Sequence, residues 1–127
     1  MSRGDNRPRV LVVDDDRSLR FLCRVNLELE GYDVLEAASL PAARALLAAE
    51  PVSVVLLDLH LGSERGETLI EELRAREPRI PVVVVTGSSD LDAGDLRLAA
   101  DAVLGKPFEI EGLLAAVQAL TTPEPAR

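Results

Sequence analysis

VLVVDDD, residues 10–16, places four consecutive aliphatic residues directly before three aspartates. Aliphatic runs that are rich in β-branched residues and do not alternate with polar ones are typical of strands buried on both faces of a sheet. Two further runs repeat the pattern: VVLL at 54–57 precedes Asp58, and VVVV at 82–85 precedes Thr86. The sequence therefore predicts three central strands, each followed by a polar side chain.

Helical patterns separate these runs, and two weaker strand patterns at 33–37 and 102–104 complete the set. Strands that alternate with helices of this length favour a parallel sheet with helices on both faces. We therefore predict an α/β fold, a doubly wound five-stranded parallel sheet of (βα)5 type. The predicted helices are 17–30, 67–77, 91–100 and 109–120, and one more that Ser39 caps, with Pro41 in its first turn and 42–49 following.

The first predicted helix carries an apolar stripe and stops before Gly31, a residue type that commonly follows a helix end. We expect Cys23 to lie in the core, and Phe21 and Phe108 to be packing residues. The stripe consists of Leu19, Leu22, Cys23, Val25 and Leu29.

Composition excludes several classes of protein. A chain of 127 residues suits one domain, and we expect an N-terminal arm at 1–8, a folded domain at 9–120 and a polar tail or linker stub at 121–127. One Cys and one His exclude a disulfide within the chain and a multi-histidine zinc site. A net charge of −8 and 2% aromatic residues argue against direct nucleic-acid binding. No apolar run could span a membrane and no signal peptide begins the chain, so we expect a cytoplasmic protein.

Polar side chains follow the strands at what should be a single edge of the sheet. Asp14, Asp15 and Asp58 bring carboxylates, Thr86 a hydroxyl and Lys106 an ammonium group. In open parallel sheets, binding sites form at the carboxyl ends of the strands. Clustered carboxylates repel unless a cation lies between them, and Mg²⁺ prefers oxygen ligands of this kind. Each position alone is ordinary, because Asp16 or Asp15 can cap a helix and Thr-Gly can form a turn. Their joint occurrence predicts a site that can accept a phosphoryl group.

Four motifs together resemble the response-regulator receiver domain, over roughly residues 8–120. They are VLVVDDD at 10–16, VVLLDLHL at 54–61, VVVVTG at 82–87 and GKPF at 105–108. The resemblance implies a flavodoxin-like sheet with the strand order 2-1-3-4-5.

The resemblance also implies a role for each residue of the site. Asp58 would be the phosphoacceptor, and Thr86 and Lys106 would contact the phosphoryl oxygens. The Lys106–Pro107 peptide bond is expected to be cis.

A Mg²⁺ site is implied as well, with Mn²⁺ as an alternative ion. Asp15 would bind the ion directly and Asp14 through water, while Asp58 and the backbone carbonyl of His60 would supply further oxygens. The His60 side chain is expected at the rim of the pocket, where it and Ser88 would tune hydrolysis of the acyl phosphate.

By the same resemblance, the phosphoryl donor would be a sensor histidine kinase or a histidine phosphotransfer protein. The chain would then be a regulatory phosphoacceptor and not a turnover enzyme, and it would act on a downstream protein that the sequence does not name. The face between Leu91 and Leu120 allows a homodimer. Two departures stand out: Gly62 replaces the usual proline, and Val103 occupies the place of the usual switch aromatic.

Two other functions remain open on sequence alone. A phosphatase of the haloacid-dehalogenase type would use Asp14 of the D-x-D motif as its nucleophile, but it would leave Asp58 without a role. A pseudo-receiver would keep the fold as an interaction module and take no phosphoryl group.

Overall fold

The computed structural model describes residues 7–61, 64–87 and 100–121. Its main sheet has five strands, all parallel, and their order across the sheet, counted along the chain, is second, first, third, fourth and fifth. This order confirms the predicted doubly wound fold. The strands are β1 (Arg9–Val13), β2 (Asp33–Ala37), β3 (Val54–Asp58), β4 (Val82–Thr86) and β5 (Ala102–Gly105). Two short antiparallel strands, His60–Leu61 and Glu64–Arg65, follow β3.

Four helices lie within the described residues, two on each face of the sheet. They are α1 (Arg17–Leu29), α2 (Leu40–Ala49), α3 (Glu67–Ala75) and α4 (Ile110–Thr121). One core cluster joins α2 and α3 to one face of the sheet, and the other joins α1 and α4 to the opposite face. The helix predicted at 91–100 lies, apart from Ala100, outside the described residues.

The central strands confirm the prediction that they are buried on both faces. Every residue of β3 and β4 is buried, including Asp58 and Thr86 at their carboxyl ends. Side chains alternate between the two core clusters along each strand, so that Leu57 and Val84 contact one cluster while Leu56 and Val83 contact the other. Uninterrupted aliphatic runs suit this arrangement because neither face of the sheet meets water.

Helix α1 begins directly after its N-cap, Asp16, and ends at Leu29, one residue before the predicted end at residue 30. The Asp16 carboxylate accepts hydrogen bonds from the backbone N–H groups of Ser18 at 2.9 Å and Leu19 at 3.2 Å. After the helix, Gly31 has a φ of +94°. Residues other than glycine rarely adopt such a positive φ, because their Cβ atom would clash with the backbone.

The predicted apolar stripe of α1 is partly wrong. Cys23 and Leu27 are buried, but Phe21 is 63% exposed and Leu29 is 78% exposed, and Leu22 and Val25 are exposed as well. The reason is helix geometry: residues four apart lie on one line, so Leu19, Cys23 and Leu27 face the core. Phe21, Val25 and Leu29 have the same spacing and form a second line on the opposite, exposed face. Phe21 is therefore not a core packing residue, while Phe108 packs against the core as predicted.

The proposed domain limits at residues 9 and 120 remain predictions. The described residues begin at 7 and end at 121, so most of the arm and of the tail lies outside them.

Candidate functional site

The site lies at the carboxyl edge of the sheet, where β1, β3, β4 and β5 end side by side. Asp14 directly follows β1, Asp58 and Thr86 are the last residues of β3 and β4, and Lys106 directly follows β5. Asp58 pairs with Val85 and Thr86 with Gly105 in the strand register, so these ends are level with one another.

Three carboxylates meet at this edge. Oxygen atoms of Asp14, Asp15 and Asp58 all lie within 4.8 Å of one another. Asp14 and Asp58 are only 4% and 5% exposed, whereas Asp15 faces solvent. The sequence prediction that these residues come together is therefore met by their positions.

Lys106 lies beside both buried carboxylates. Its Nζ atom is 3.4 Å from Oδ2 of Asp58 and 3.5 Å from Oδ2 of Asp14. Partial burial alone would lower the pKa of Lys106, but the charges of Asp14 and Asp58 outweigh it and raise that pKa. Lys106 therefore stays a cation and offsets part of the negative charge of the pocket.

The pKa of Asp14 is raised, mainly because burial disfavours its charged form. The neighbouring charge of Asp58 adds to the rise, while the N–H of Asp16 and the cation of Lys106 oppose it. That N–H donates to Oδ1 of Asp14 at 2.9 Å. A carboxylate that is costly to ionise in the folded protein is typical of a functional site.

Thr86 places a hydroxyl group and anchors the Lys106 loop. It is 1% exposed, and its backbone carbonyl accepts a hydrogen bond of 2.7 Å from the backbone N–H of Lys106. The Lys106–Pro107 peptide bond is cis, as predicted, and the Glu77–Pro78 bond is also cis, which the sequence analysis did not anticipate.

The donor set of the cluster fits a hard divalent cation. Carboxylate oxygens from three residues converge, one of them from a solvent-facing residue through which a hydrated ion can enter. Mg²⁺ retains several of its waters and needs only one or two protein carboxylates, so the cluster meets its requirements.

Some predicted site features are not tested. The backbone of His60 lies in the short strand after Asp58, and its carbonyl as a metal ligand stays a prediction. Gly62 and Ser88 lie outside the described residues. Val103 is half-buried, pairs with Val84 in the register and packs against the α2–α3 core cluster.

The sequence analysis missed Arg20, whose Nη1 donates to the backbone carbonyl of Asp14 at 2.8 Å. A hydrogen bond from a side chain to a backbone carbonyl does not show in the spacing or type of residues. Glu36, the salt-bridge partner of Arg20, lies on β2 and is distant from Arg20 in sequence. No signal in a single sequence could have identified it.

Cys23 is buried in the core on α1, as predicted. Burial is the main cause that raises the pKa of its thiol to about 11, and the Asp14 charge adds to the effect. The thiol is therefore protonated at neutral pH and has no nucleophilic role in the site.

The chain is similar to known proteins both in sequence and in fold. The family described as response regulator receiver domain matches residues 10–118. Among curated relatives, the DNA-binding dual master transcriptional regulator RpaA of Synechocystis sp. is 36% identical over 122 residues, covering 89% of this chain and 48% of that protein. The alginate biosynthesis transcriptional regulatory protein AlgB of Pseudomonas aeruginosa is 37% identical over 120 residues, covering 92% of this chain and 27% of that protein. The chain thus spans about half or less of the length of these relatives.

Solved structures share the whole fold. A CheY-like response regulator receiver domain protein from Methanospirillum hungatei has a TM-score of 0.81 and 30% identity, covering 90% of this chain and 93% of that one. The chemotaxis response regulator CheY4 of Vibrio cholerae has a TM-score of 0.81 and 26% identity, covering 91% of this chain and 99% of that one. Within the described part of the chain, every helix is too short or too polar to cross a bilayer.

Proposed function

The chain belongs to the response regulator receiver family of two-component systems, and we propose that it is a phosphoacceptor switch whose acceptor is Asp58. The observation that carries this proposal is the position of Lys106 Nζ, 3.4 Å from the buried Asp58 carboxylate and 3.5 Å from that of Asp14. A fixed cation beside a buried carboxylate prepares the site for a group that brings negative charge.

The proposed reaction moves a phosphoryl group from a phosphohistidine to Asp58. An Asp58 carboxylate oxygen forms a bond to phosphorus while the bond from phosphorus to the donor imidazole nitrogen breaks. The electron pair of the broken bond stays on that nitrogen, the imidazole ring takes one proton from solvent, and the donor leaves as neutral histidine. Lys106 and the Thr86 hydroxyl would stabilise the phosphoryl oxygens, because charge on them is what the site must offset.

Four residues would hold the Mg²⁺ ion, or Mn²⁺ in its place: Asp15 and Asp58 through carboxylates, Asp14 through a water, and His60 through its backbone carbonyl. When bound, the ion supplies positive charge that offsets the carboxylates and the incoming phosphoryl group. Lys106 lies within 3.5 Å of two of the three carboxylates, those of Asp14 and Asp58.

The donor would be a sensor histidine kinase or a histidine phosphotransfer protein, and it would dock on the apolar surface beside the pocket. Leu19, Leu22, Pro107 and Phe108 line a groove of about 470 Å³ that includes Lys106. Phe21, which follows Arg20 on the same helix as Leu19 and Leu22, is 63% exposed. A donor histidine must come close to Asp58, so its protein has to cover the neighbouring surface.

The proposed output is regulatory, not metabolic. Phosphorylation would shift the chain between two surface states that a downstream protein distinguishes. RpaA and AlgB are transcriptional regulators, so we propose that the output includes control of transcription, exerted through a partner or an attached domain. A cytoplasmic location and a homodimer through the face between Leu91 and Leu120 belong to this proposal.

Mass spectrometry of the intact protein tests the acceptor. With Mg²⁺ and acetyl phosphate, we expect a base-labile adduct of about 80 Da, the mass of one added phosphoryl group. Asp58→Asn should abolish the adduct. Asp16→Asn is the matched control, because Asp16 lies in the same loop but caps α1 and asparagine caps equally well. The control should retain the adduct.

Each remaining outcome identifies another function. An adduct that survives Asp58→Asn and is lost in Asp14→Asn, together with steady hydrolysis of an aryl phosphate, would support the phosphatase. If no phosphodonor produced an adduct, the result would support the pseudo-receiver function, in which the chain takes no phosphoryl group.

A further inference from the structure

Arg20 joins three parts of the molecule at the edge of the acidic pocket. From α1, its Nη1 donates to the backbone carbonyl of Asp14 at 2.8 Å, and its Nε donates to Oε1 of Glu36 on β2 at 3.0 Å. The side chains of Arg20 and Glu36 are only 16% and 24% exposed. The guanidinium group therefore bonds to the loop after β1 while a carboxylate on the edge strand orients it.

The carbonyl that Arg20 contacts belongs to the peptide between Asp14 and Asp15. Because a peptide unit is planar, holding this carbonyl restrains ψ of Asp14 and φ of Asp15 together. Those two torsions orient both side chains that the loop contributes to the carboxylate cluster. A hydrogen bond from a charged donor is stronger than one between neutral groups, which suits this role.

Two other hydrogen bonds of Asp14 involve its N–H group and its carboxylate, and not its carbonyl oxygen. The Asp14 N–H donates to the carbonyl of Ala37 at 3.0 Å, and its carboxylate accepts from the N–H of Asp16 at 2.9 Å. Neither of these bonds reaches the carbonyl oxygen. Within the part of the chain that the structure describes, the Arg20 guanidinium is the group that donates to the carbonyl of the Asp14–Asp15 peptide.

We propose that Arg20 is a positioning residue for the divalent ion: by holding the Asp14–Asp15 peptide, it orients both carboxylates of the loop for Mg²⁺. This inference rests on the proposed function, since it presumes that the cluster binds the ion. Groups that orient metal ligands affect metal affinity by about tenfold or more when they are removed.

Charge and geometry predict opposite effects at this position. Arg20 is a cation near a cation site, so removal of its charge alone would strengthen Mg²⁺ binding. Loss of positioning would weaken binding instead. The direction of the change in affinity therefore separates the two effects.

Arg24 offers a matched control on the same helix. Its Nη1 bonds the other carboxylate oxygen of Glu36 at 3.1 Å and its Nε bonds Glu28 at 3.3 Å. Both of these partners lie outside the loop after β1. Arg24→Gln removes the same charge from the same glutamate and leaves the Asp14 carbonyl bonded.

The test is a titration of the full chain with Mg²⁺ alone, followed by ¹H–¹⁵N NMR, for the wild type, Arg20→Gln, Arg20→Lys and Arg24→Gln. We expect the Kd for Mg²⁺ to rise about tenfold in Arg20→Gln. Arg20→Lys should also bind more weakly, because a point charge cannot form both bonds of the planar guanidinium. Arg24→Gln should stay within about twofold of the wild type. Thermal unfolding in EDTA reports stability separately.

Four results would overturn the proposal. Both Arg20 variants could bind Mg²⁺ as tightly as the wild type or more tightly, or Arg24→Gln could weaken binding as much as Arg20→Gln. Unfolding of both Arg20 variants in EDTA would make Arg20 a structural residue. A wild type without Mg²⁺-dependent shifts would remove the metal site of the proposed function as well, whereas the first two results leave that function intact.

Discussion

At the scale of single residues, the pocket places ionisable groups where they do not favour stability. Asp14 and Asp58 are buried at the ends of central strands, and Lys106 offsets their charge only in part. Burial and the charge of Asp58 raise the pKa of Asp14. The folded state therefore binds the Asp14 proton more tightly than the unfolded chain does, and ionisation of Asp14 costs stability.

Asp14→Asn should raise the free energy of unfolding at pH 7 without divalent ions, by about 1 kcal/mol. Because the pKa is raised in the folded state, the stability that the protonated group contributes is present below its ordinary value of 3.8 and is lost as the pH rises through the folded pKa. The gain from the substitution should therefore shrink as the pH falls toward that value.

Urea unfolding in EDTA at several pH values measures this difference. Asp15→Asn is the control, since Asp15 faces solvent and its substitution should change stability by less than about 0.5 kcal/mol. An Asp14→Asn variant less stable than the wild type at pH 7 would contradict the explanation.

At the scale of elements, α1 has one buried line and, on its other side, an exposed apolar face. Cys23 and Leu27 contact the sheet, while Phe21, Leu22, Val25 and Leu29 are exposed. Apolar residues that are exposed together on one helix do not contribute to the core of this chain. They are available to a second protein, which agrees with the docking surface proposed beside the pocket.

Leu27→Ala and Leu29→Ala form a matched pair on this helix. Leu27 is fully buried, so its truncation should lower the free energy of unfolding by about 2–5 kcal/mol. Leu29 is 78% exposed, and its truncation should cost less than about 0.5 kcal/mol. Chemical denaturation checks both values. Equal losses of stability would contradict the assignment of Leu27 to the buried face of α1 and Leu29 to its exposed face.

At the scale of the whole molecule, the sheet converts distant parts of the chain into one pocket. The parallel register places the ends of β1, β3, β4 and β5 level, so Asp14, Asp58, Thr86 and Lys106 meet although they are far apart in sequence. An ion that binds only this assembled cluster stabilises the folded state by mass action.

Mg²⁺ should therefore raise the unfolding midpoint, and EDTA should reverse the change. At a concentration tenfold above its Kd, the ion should stabilise the fold by about 1.4 kcal/mol. Asp15→Asn should reduce this gain, and Asp16→Asn, which keeps the helix cap, should retain it. A midpoint that does not respond to Mg²⁺ in the wild type would argue against a metal site.

The sequence by itself determined the strands, most helix limits and the membership of the site. Aliphatic runs such as Val54–Leu57 are local, and a run without polar residues can only be accommodated between two covered faces. Asp58, Thr86 and Lys106 were identifiable because each comes at the carboxyl end of a predicted strand and parallel strands end at one edge. Asp16 and Gly31 were identifiable because caps depend on local backbone geometry.

Only the tertiary structure decided which apolar face of α1 is covered, that Lys106 lies beside two carboxylates, and that Arg20 holds the Asp14 carbonyl. Periodicity orders residues around a helix but does not say which neighbours the helix meets, so the exposure of Phe21 was not predictable. Likewise, the Arg20 bond joins a side chain to a backbone oxygen, and its strength depends on Glu36 from another strand. Such contacts arise from positions in space, and a single sequence carries only the order of residues along the chain.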